Sequence, residues 1–122
     1  MFELKFRIDT DGDFGYTKSN YELNEYEENT CYFDCKEDAF NALGAILKGV
    51  YESFSTSKGY MSDIKDSFKD MLDELEYVDL ESTNCYEIDR DFGNPSCYFY
   101  IRECEKVKIG NGFAIRYTTD CD

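Results

Sequence analysis

Residues 2–9 alternate between apolar and charged side chains. The apolar positions are Phe2, Leu4, Phe6 and Ile8. Because successive side chains of a strand point to opposite faces of a sheet, this alternation predicts a half-buried β-strand. Asp11-Gly12 then favours a hairpin turn, and we expect strand character to return at Tyr32 and Phe33.

Two helices are predicted in the middle of the chain. The first begins near Asp34, which can cap the first turn together with Glu37 three residues later. A break over residues 55–59 precedes a second helix, which Ser62 is expected to cap and which ends near Glu76. The first helix has a broad apolar stripe formed by Phe40, Leu43, Ile46, Leu47, Val50, Tyr51 and Phe54.

Three further strands are predicted over residues 84–90, 97–104 and 113–119, joined by turns at 92–95 and 110–112. Together these elements predict an α+β fold of order β-(β)-α-α-β-β-β. Its sheet is mainly antiparallel, with about four to five strands and two helices packed on one face. No repeat or linker divides the sequence, so we expect residues 1–122 to form a single domain.

The charge balance narrows the classes of partner. The chain has 27 Asp and Glu, 13 Lys and Arg and no His, which gives a formal net charge of −14. Such a field repels nucleic acid and anionic membranes and speeds encounter with basic proteins. Direct nucleic-acid binding and membrane binding are therefore not expected, and solubility alone is the alternative explanation of the acidity.

Cysteine usage is interpreted through the expected compartment. The start of the chain does not resemble a signal peptide, and no apolar stretch approaches the roughly 20 residues that span a membrane. We therefore expect a cytoplasmic protein with reduced cysteines that mostly serve as small core residues. The six positions are Cys31, Cys35, Cys85, Cys97, Cys104 and Cys121.

Catalytic groups do not form a recognisable set. Without His, the commonest general base and every Ser-His or Cys-His pair are missing. Cys35 lies near a predicted helix start, but the carboxylates of Asp34, Glu37 and Asp38 oppose ionisation of its thiol. We therefore expect a protein that is not an enzyme and has no cofactor.

Metal-binding patterns are incomplete as well. The cysteines lack the paired C-x-x-C spacing of zinc sites. Residues 9–13 resemble the opening of a calcium loop, but Phe14 and Asn20 stand where such a loop needs Gly and a bidentate Glu. No metal site is therefore predicted.

Four aspartates recur on the second helix at intervals of three, four and three residues: Asp63, Asp66, Asp70 and Asp73. They fall within a sector of about 80°, with Glu74 beside them. This sector is roughly opposite the apolar positions of the same helix, which are Ile64, Phe68, Met71, Leu72 and Leu75. The ten residues rise about 15 Å, over which one DNA strand presents roughly four or five phosphates. This helix face can imitate a phosphate backbone, and an ordinary solvated surface is the alternative.

Two other groups are candidate contacts for a partner. The segment between Asn20 and Asn29 carries four glutamates and no Lys or Arg: Glu22, Glu25, Glu27 and Glu28. Tyr98 and Tyr100 alternate with apolar residues, and tyrosine is a typical interface anchor. The alternation leaves open whether these two rings lie on the exposed face or under the helices.

In its size, acidity, lack of histidine, tyrosine content and aspartate-lined helix, the chain resembles phage-encoded anti-CRISPR proteins that imitate nucleic acid. The resemblance is one of character, covers no defined motif and carries over no functional residue. It implies a stoichiometric inhibitor in the bacterial cytoplasm, bound to the basic nucleic-acid channel of a CRISPR effector such as Cas9. The alternatives are an immunity protein or antitoxin that neutralises a basic nuclease toxin, and a small metabolite-binding domain.

Overall fold

The computed structural model describes residues 1–9, 28–53, 60–91 and 96–119. Within them the elements follow the predicted order, and the predicted α+β fold is confirmed. The elements are β1 (Phe2–Asp9), β2 (Asn29–Phe33), α1 (Lys36–Ser53), α2 (Tyr60–Leu75), β3 (Cys85–Asp91), β4 (Ser96–Ile109) and β5 (Gly112–Tyr117). The predicted turns at Asp11-Gly12 and at 92–95 lie outside the described residues.

The sheet is antiparallel, with strand order β2-β1-β4-β3 and β5 paired to the far end of β4. Its centre is Phe99 of β4, which lies opposite Phe6 of β1 and Ile88 of β3. The rings of Phe6 and Phe99 stack with centroids 5.7 Å apart. The predicted alternation of β1 is thus real, since its four apolar side chains are buried.

Both helices cover the same face of the sheet. α1 contacts β1, β2 and β4, and its apolar stripe is buried from Phe40 to Val50 together with Ala39 and Ala42. Tyr51 is half-buried, and Phe54 lies outside the described residues. α2 packs on α1 and adds Phe68 and Met71 to the core. α2 begins at Tyr60, two residues before the predicted cap, so Ser62 lies inside the helix. The prediction that Ser62 caps this helix was therefore wrong. Serine is tolerated within the first turn of a helix as well as at its cap, so its presence alone does not fix where the helix begins.

β4 is longer than predicted and extends past the sheet as a hairpin with β5. A two-residue turn at Gly110-Asn111 joins the strands, and Gly110 adopts a φ of 57°, which glycine accepts without strain. β5 lies on the same side of β4 as β3, because Glu103 donates its N–H to Asn84 and accepts from Thr118. The strand prediction stopped at residue 104 because the charged residues beyond it do not signal burial.

The expectation that every cysteine is reduced is wrong at Cys85, which is disulfide-bonded. The other half of that bond lies outside the described residues, as does Cys121. The free thiols are those of Cys31, Cys35, Cys97 and Cys104, and the last two are buried. Reduced cysteines were predicted from the expected cytoplasmic compartment alone. Disulfide formation also depends on which cysteines the fold brings together. As to membranes, none of the helices described here combines the length and the apolar character needed to cross a bilayer.

The core predicts a large stability difference between two identical substitutions. Phe99→Ala removes a fully buried ring and should lower the free energy of unfolding by about 3–5 kcal/mol. Phe113→Ala, at a side chain that is 60% exposed, should change it by about 0.5 kcal/mol or less. Urea unfolding followed by circular dichroism measures both. Equal losses would contradict the described core.

The disulfide predicts a thiol count. Thiol titration of the denatured, non-reduced chain should detect four of the six cysteines, and all six after reduction. Reduction should also lower the melting temperature, because the cross-link no longer restricts the unfolded chain. Six reactive thiols in freshly purified, non-reduced protein would show that Cys85 is not bonded.

Candidate functional site

The predicted acidic row lies on the solvent side of α2. Asp66, Asp70 and Asp73 are exposed, while Phe68 and Met71 on the same helix are buried. Asp63 belongs to α2, but its side chain is outside the described part of the structure. The structure therefore places three of the four predicted aspartates on one exposed helix face, called the acidic row below.

The acidic row is not engaged in ion pairs on the described chain. Among the described residues, no ion pair involves Asp66, Asp70 or Asp73. Glu74, beside the row, does pair with Arg90, with Oε2 and Nη2 3.5 Å apart. The last turn of α2 contains no basic residue. The three aspartates therefore present their charge to solvent without a partner on the described chain.

The opposite side of the sheet, called the open face below, is not covered by the helices. Tyr98 and Tyr100 alternate with the buried Cys97 and Phe99, so their side chains point away from α1 and α2. The strand register sets their neighbours on this face. Lys5 and Glu87 flank Tyr100, and Arg7 and Asp89 flank Tyr98. Tyr98 and Tyr100 therefore do not lie under the helices, which the alternation alone had left open.

Glu3 is buried on the open face, with 4% of its surface exposed. The hydroxyl of Tyr117 donates to Glu3 Oε1 at 2.7 Å, and Lys5 Nζ lies 3.8 Å from the same oxygen. Burial raises the pKa of Tyr117, and the hydrogen bond to Glu3 raises it further. Because Tyr117 is on β5 and Glu3 on β1, this contact ties the hairpin to the sheet across β4.

Arg102, on β4, lies beside the contact between Glu3 and Tyr117. Its guanidinium stacks on the Tyr117 ring, 4.1 Å from the centroid, and Nη2 donates to the carbonyl of Thr119 at 3.3 Å. Its Nε is buried without a hydrogen-bond acceptor among the described residues. A cleft of about 250 Å³ beside Arg102 is lined by Tyr100, Tyr117 and Glu87, among others.

The rings of Tyr98 and Tyr100 stack on each other. Their ring centroids are 5.1 Å apart, with an interplanar angle of 30°. The hydroxyl of Tyr98 donates to Glu28 Oε2 at 2.6 Å, so one of the four predicted glutamates reaches the tyrosines. Glu22, Glu25 and Glu27 lie outside the described residues. Burial raises the pKa of Tyr98 to about 12, and Glu28 contributes through its hydrogen bond and charge.

Two thiols of the described chain have raised pKa values. The pKa of Cys35 is raised: a backbone hydrogen bond at Asp38 lowers it, but the Asp38 side chain and the charges of Asp38 and Glu37 outweigh that effect. Burial raises the pKa of Cys97 to about 12. Both thiols are therefore protonated at pH 7. Within the ranges that the structure describes, no cluster of three or more His, Cys, Asp or Glu is placed to hold a metal ion.

The predicted partner-binding residues do not form one patch. The acidic row lies on the helix side of the sheet, whereas Tyr98, Tyr100 and Glu28 lie on the open face. Sequence reasoning missed Glu87 and Asp89 beside the tyrosines. The alternation of β3 carried that signal, since Ile88 between them is buried.

Comparison of the chain with protein-family models, with curated proteins and with solved structures gives no match. The functional interpretation therefore depends on the geometry described above.

The open-face tyrosines predict a pH-dependent signal. Burial raises the pKa of both Tyr32 and Tyr98 to about 12, with hydrogen bonds to Glu3 and Glu28 adding to the effect. An unfolded tyrosine has a pKa of about 10. The folded chain therefore holds these protons more tightly, and their contribution to stability is present below about pH 10 and lost as the pH rises towards 12.

An absorbance titration of tyrosinate should show a component near pH 12, which shrinks in the variant Tyr32→Phe/Tyr98→Phe. The control is wild-type protein in denaturant, where the component should disappear. If the double variant keeps the full component, the described environment of these two tyrosines is wrong.

Proposed function

We propose that this protein is a stoichiometric inhibitor that imitates a phosphate backbone and occupies the basic nucleic-acid-binding surface of a partner protein. The observation that supports this most directly is the acidic row of α2. It offers exposed carboxylates in a line, and no Lys or Arg of the described chain pairs with them.

The spacing of the row suits this role. From Asp66 to Asp73 the helix rises about 10 Å, and the position of Asp63 adds a further turn on the same side. Over such a length one strand of DNA presents roughly three phosphates. A basic channel built for nucleic acid would therefore meet a similar number of negative charges per unit length on α2.

The row is placed where it does not favour the helix. Asp66 and Asp70, and Asp70 and Glu74, are like charges four residues apart, each pair costing about 0.2–0.5 kcal/mol. Asp73 and Glu74 lie in the last turn, where the helix dipole disfavours anions by about 0.3–1 kcal/mol each. A helix selected for stability alone would have Lys there, so a function that needs the charge accounts for the sequence better.

The net charge of −14 adds a long-range attraction to the short-range fit. Opposite fields on two proteins raise the association rate, and the effect is screened by salt over about 8 Å at physiological ionic strength.

The proposed partner is a CRISPR effector such as Cas9. An immunity protein against a nuclease toxin would use the same surface, and the identity of the partner captured from host lysate separates the two.

Removing the charge of the row should weaken binding without unfolding the protein. The variant Asp66→Asn/Asp70→Asn/Asp73→Asn should bind the purified partner at least about tenfold more weakly. Its stability should stay level or rise slightly, because like charges no longer repel one another. Surface plasmon resonance at several salt concentrations measures affinity and rate, and a melt measures stability.

The matched control is Glu37→Gln/Glu81→Gln/Glu103→Gln, which changes the net charge equally at residues outside the row. Guide or target nucleic acid is added as a competitor for the partner. The proposal fails if the two variants lose the same affinity, or if the wild-type protein and the nucleic acid bind the partner together.

A further inference from the structure

We propose that the open face is a second docking surface, which holds an arginine-bearing segment of a basic partner protein. This inference shares with the proposed function only the basic character of the partner. It uses different residues on the opposite side of the sheet, so each proposal can fail alone.

Unpaired carboxylates line one margin of the open face. Glu87 and Asp89 lie on β3, the last strand in the order of the sheet, and both are exposed. They are two residues apart on the same face, about 7 Å along the strand. Neither takes part in an ion pair among the described residues. A cation that approaches this margin therefore meets two free acceptors.

Of the described cations on the same face, Lys5 and Arg102 have other contacts, and Arg7 lies on β1 across Tyr98 from Asp89, with which it forms no ion pair. Lys5 Nζ lies 3.8 Å from carboxylate oxygens of both Glu3 and Glu28. Arg102 is stacked on Tyr117 and hydrogen-bonded to Thr119. The negative charge at β3 is thus not neutralised from within the face, and the complementary ligand is positive.

The tyrosines favour arginine over lysine as that cation. The stacked rings of Tyr98 and Tyr100 stand directly beside Asp89 and Glu87 in the strand register. A guanidinium is planar, so it can stack on a ring while it pairs with a carboxylate through two N–H groups. An ammonium group also attracts a ring, but it is a compact point charge that cannot stack flat on the ring or pair with a carboxylate through a planar fork.

The dimensions favour a side chain over a free metabolite. The cleft beside Tyr100 has a volume of about 250 Å³, below the roughly 300–1,000 Å³ of typical small-molecule sites. The charges of Glu87, Asp89 and Glu28 also act on the Tyr100 hydroxyl. They raise the pKa of Tyr100 beyond the effect of burial, and the same negative potential attracts a guanidinium.

The test compares an oligo-arginine and an oligo-lysine peptide of equal length, titrated into the full chain by calorimetry at low and physiological salt. Wild-type protein should bind the arginine peptide about two- to fivefold more tightly. Tyr100→Ala and Glu87→Gln/Asp89→Asn should abolish that preference. Tyr100→Phe keeps the ring and should retain it, which separates stacking from a general loss of structure.

Two controls separate this surface from the acidic row. Asp66→Asn/Asp70→Asn/Asp73→Asn should weaken both peptides equally and leave the preference for arginine unchanged. Tyr77→Ala, at an exposed ring away from the sheet, should change neither affinity.

Equal binding of the two peptides by wild-type protein overturns the inference, as does a preference that survives Tyr100→Ala. A preference lost only in the acidic-row variant also overturns it, while the proposed function stands. If the open-face variants remove the preference but the acidic-row variant still binds the partner at full strength, this inference stands and the proposed function fails.

Discussion

The pairing of β4 with β1 on one side and with β3 and β5 on the other determines which side chains meet on each face of the sheet. Because side chains alternate along a strand, one register fixes both faces together. The register that brings Phe99 against Phe6 also brings Tyr100 beside Glu87 and Lys5. A shift by one residue would bury the tyrosines and expose the core. The chemistry of the open face is therefore a consequence of how the core packs.

The same constraint explains which parts of the fold the sequence could predict. The alternation of β1, the apolar stripe of α1 and the glycine turn before β5 each record burial or backbone geometry, and all three predictions hold. The far end of β4 failed because a two-stranded hairpin outside the core does not need apolar alternation. Its residues pair through backbone hydrogen bonds and the contact between Arg116 and Glu105.

The candidate site was less predictable, because it depends on contacts between distant residues. Periodicity located the acidic row, since all its members lie on one helix. It could not connect Glu28 with Tyr98, which are 70 residues apart, or Glu3 with Tyr117, which are 114 apart. The disulfide at Cys85 was missed for the same reason, because proximity across the fold leaves no trace in spacing.

Charge is distributed unequally between the acidic row and the open face, so the binding proposed for each surface depends on a different interaction. On α2 the aspartates repel one another, and in the proposed function their field acts on a basic partner over about a Debye length and favours rapid encounter. On the open face Lys5 and Arg102 are held in contacts with neighbouring side chains, and the proposed recognition of arginine depends on ring stacking and on unpaired carboxylates at one margin. The first surface depends on field strength and the second on shape. Since they lie on opposite sides of one sheet, a partner held by α2 leaves the open face accessible to another basic segment.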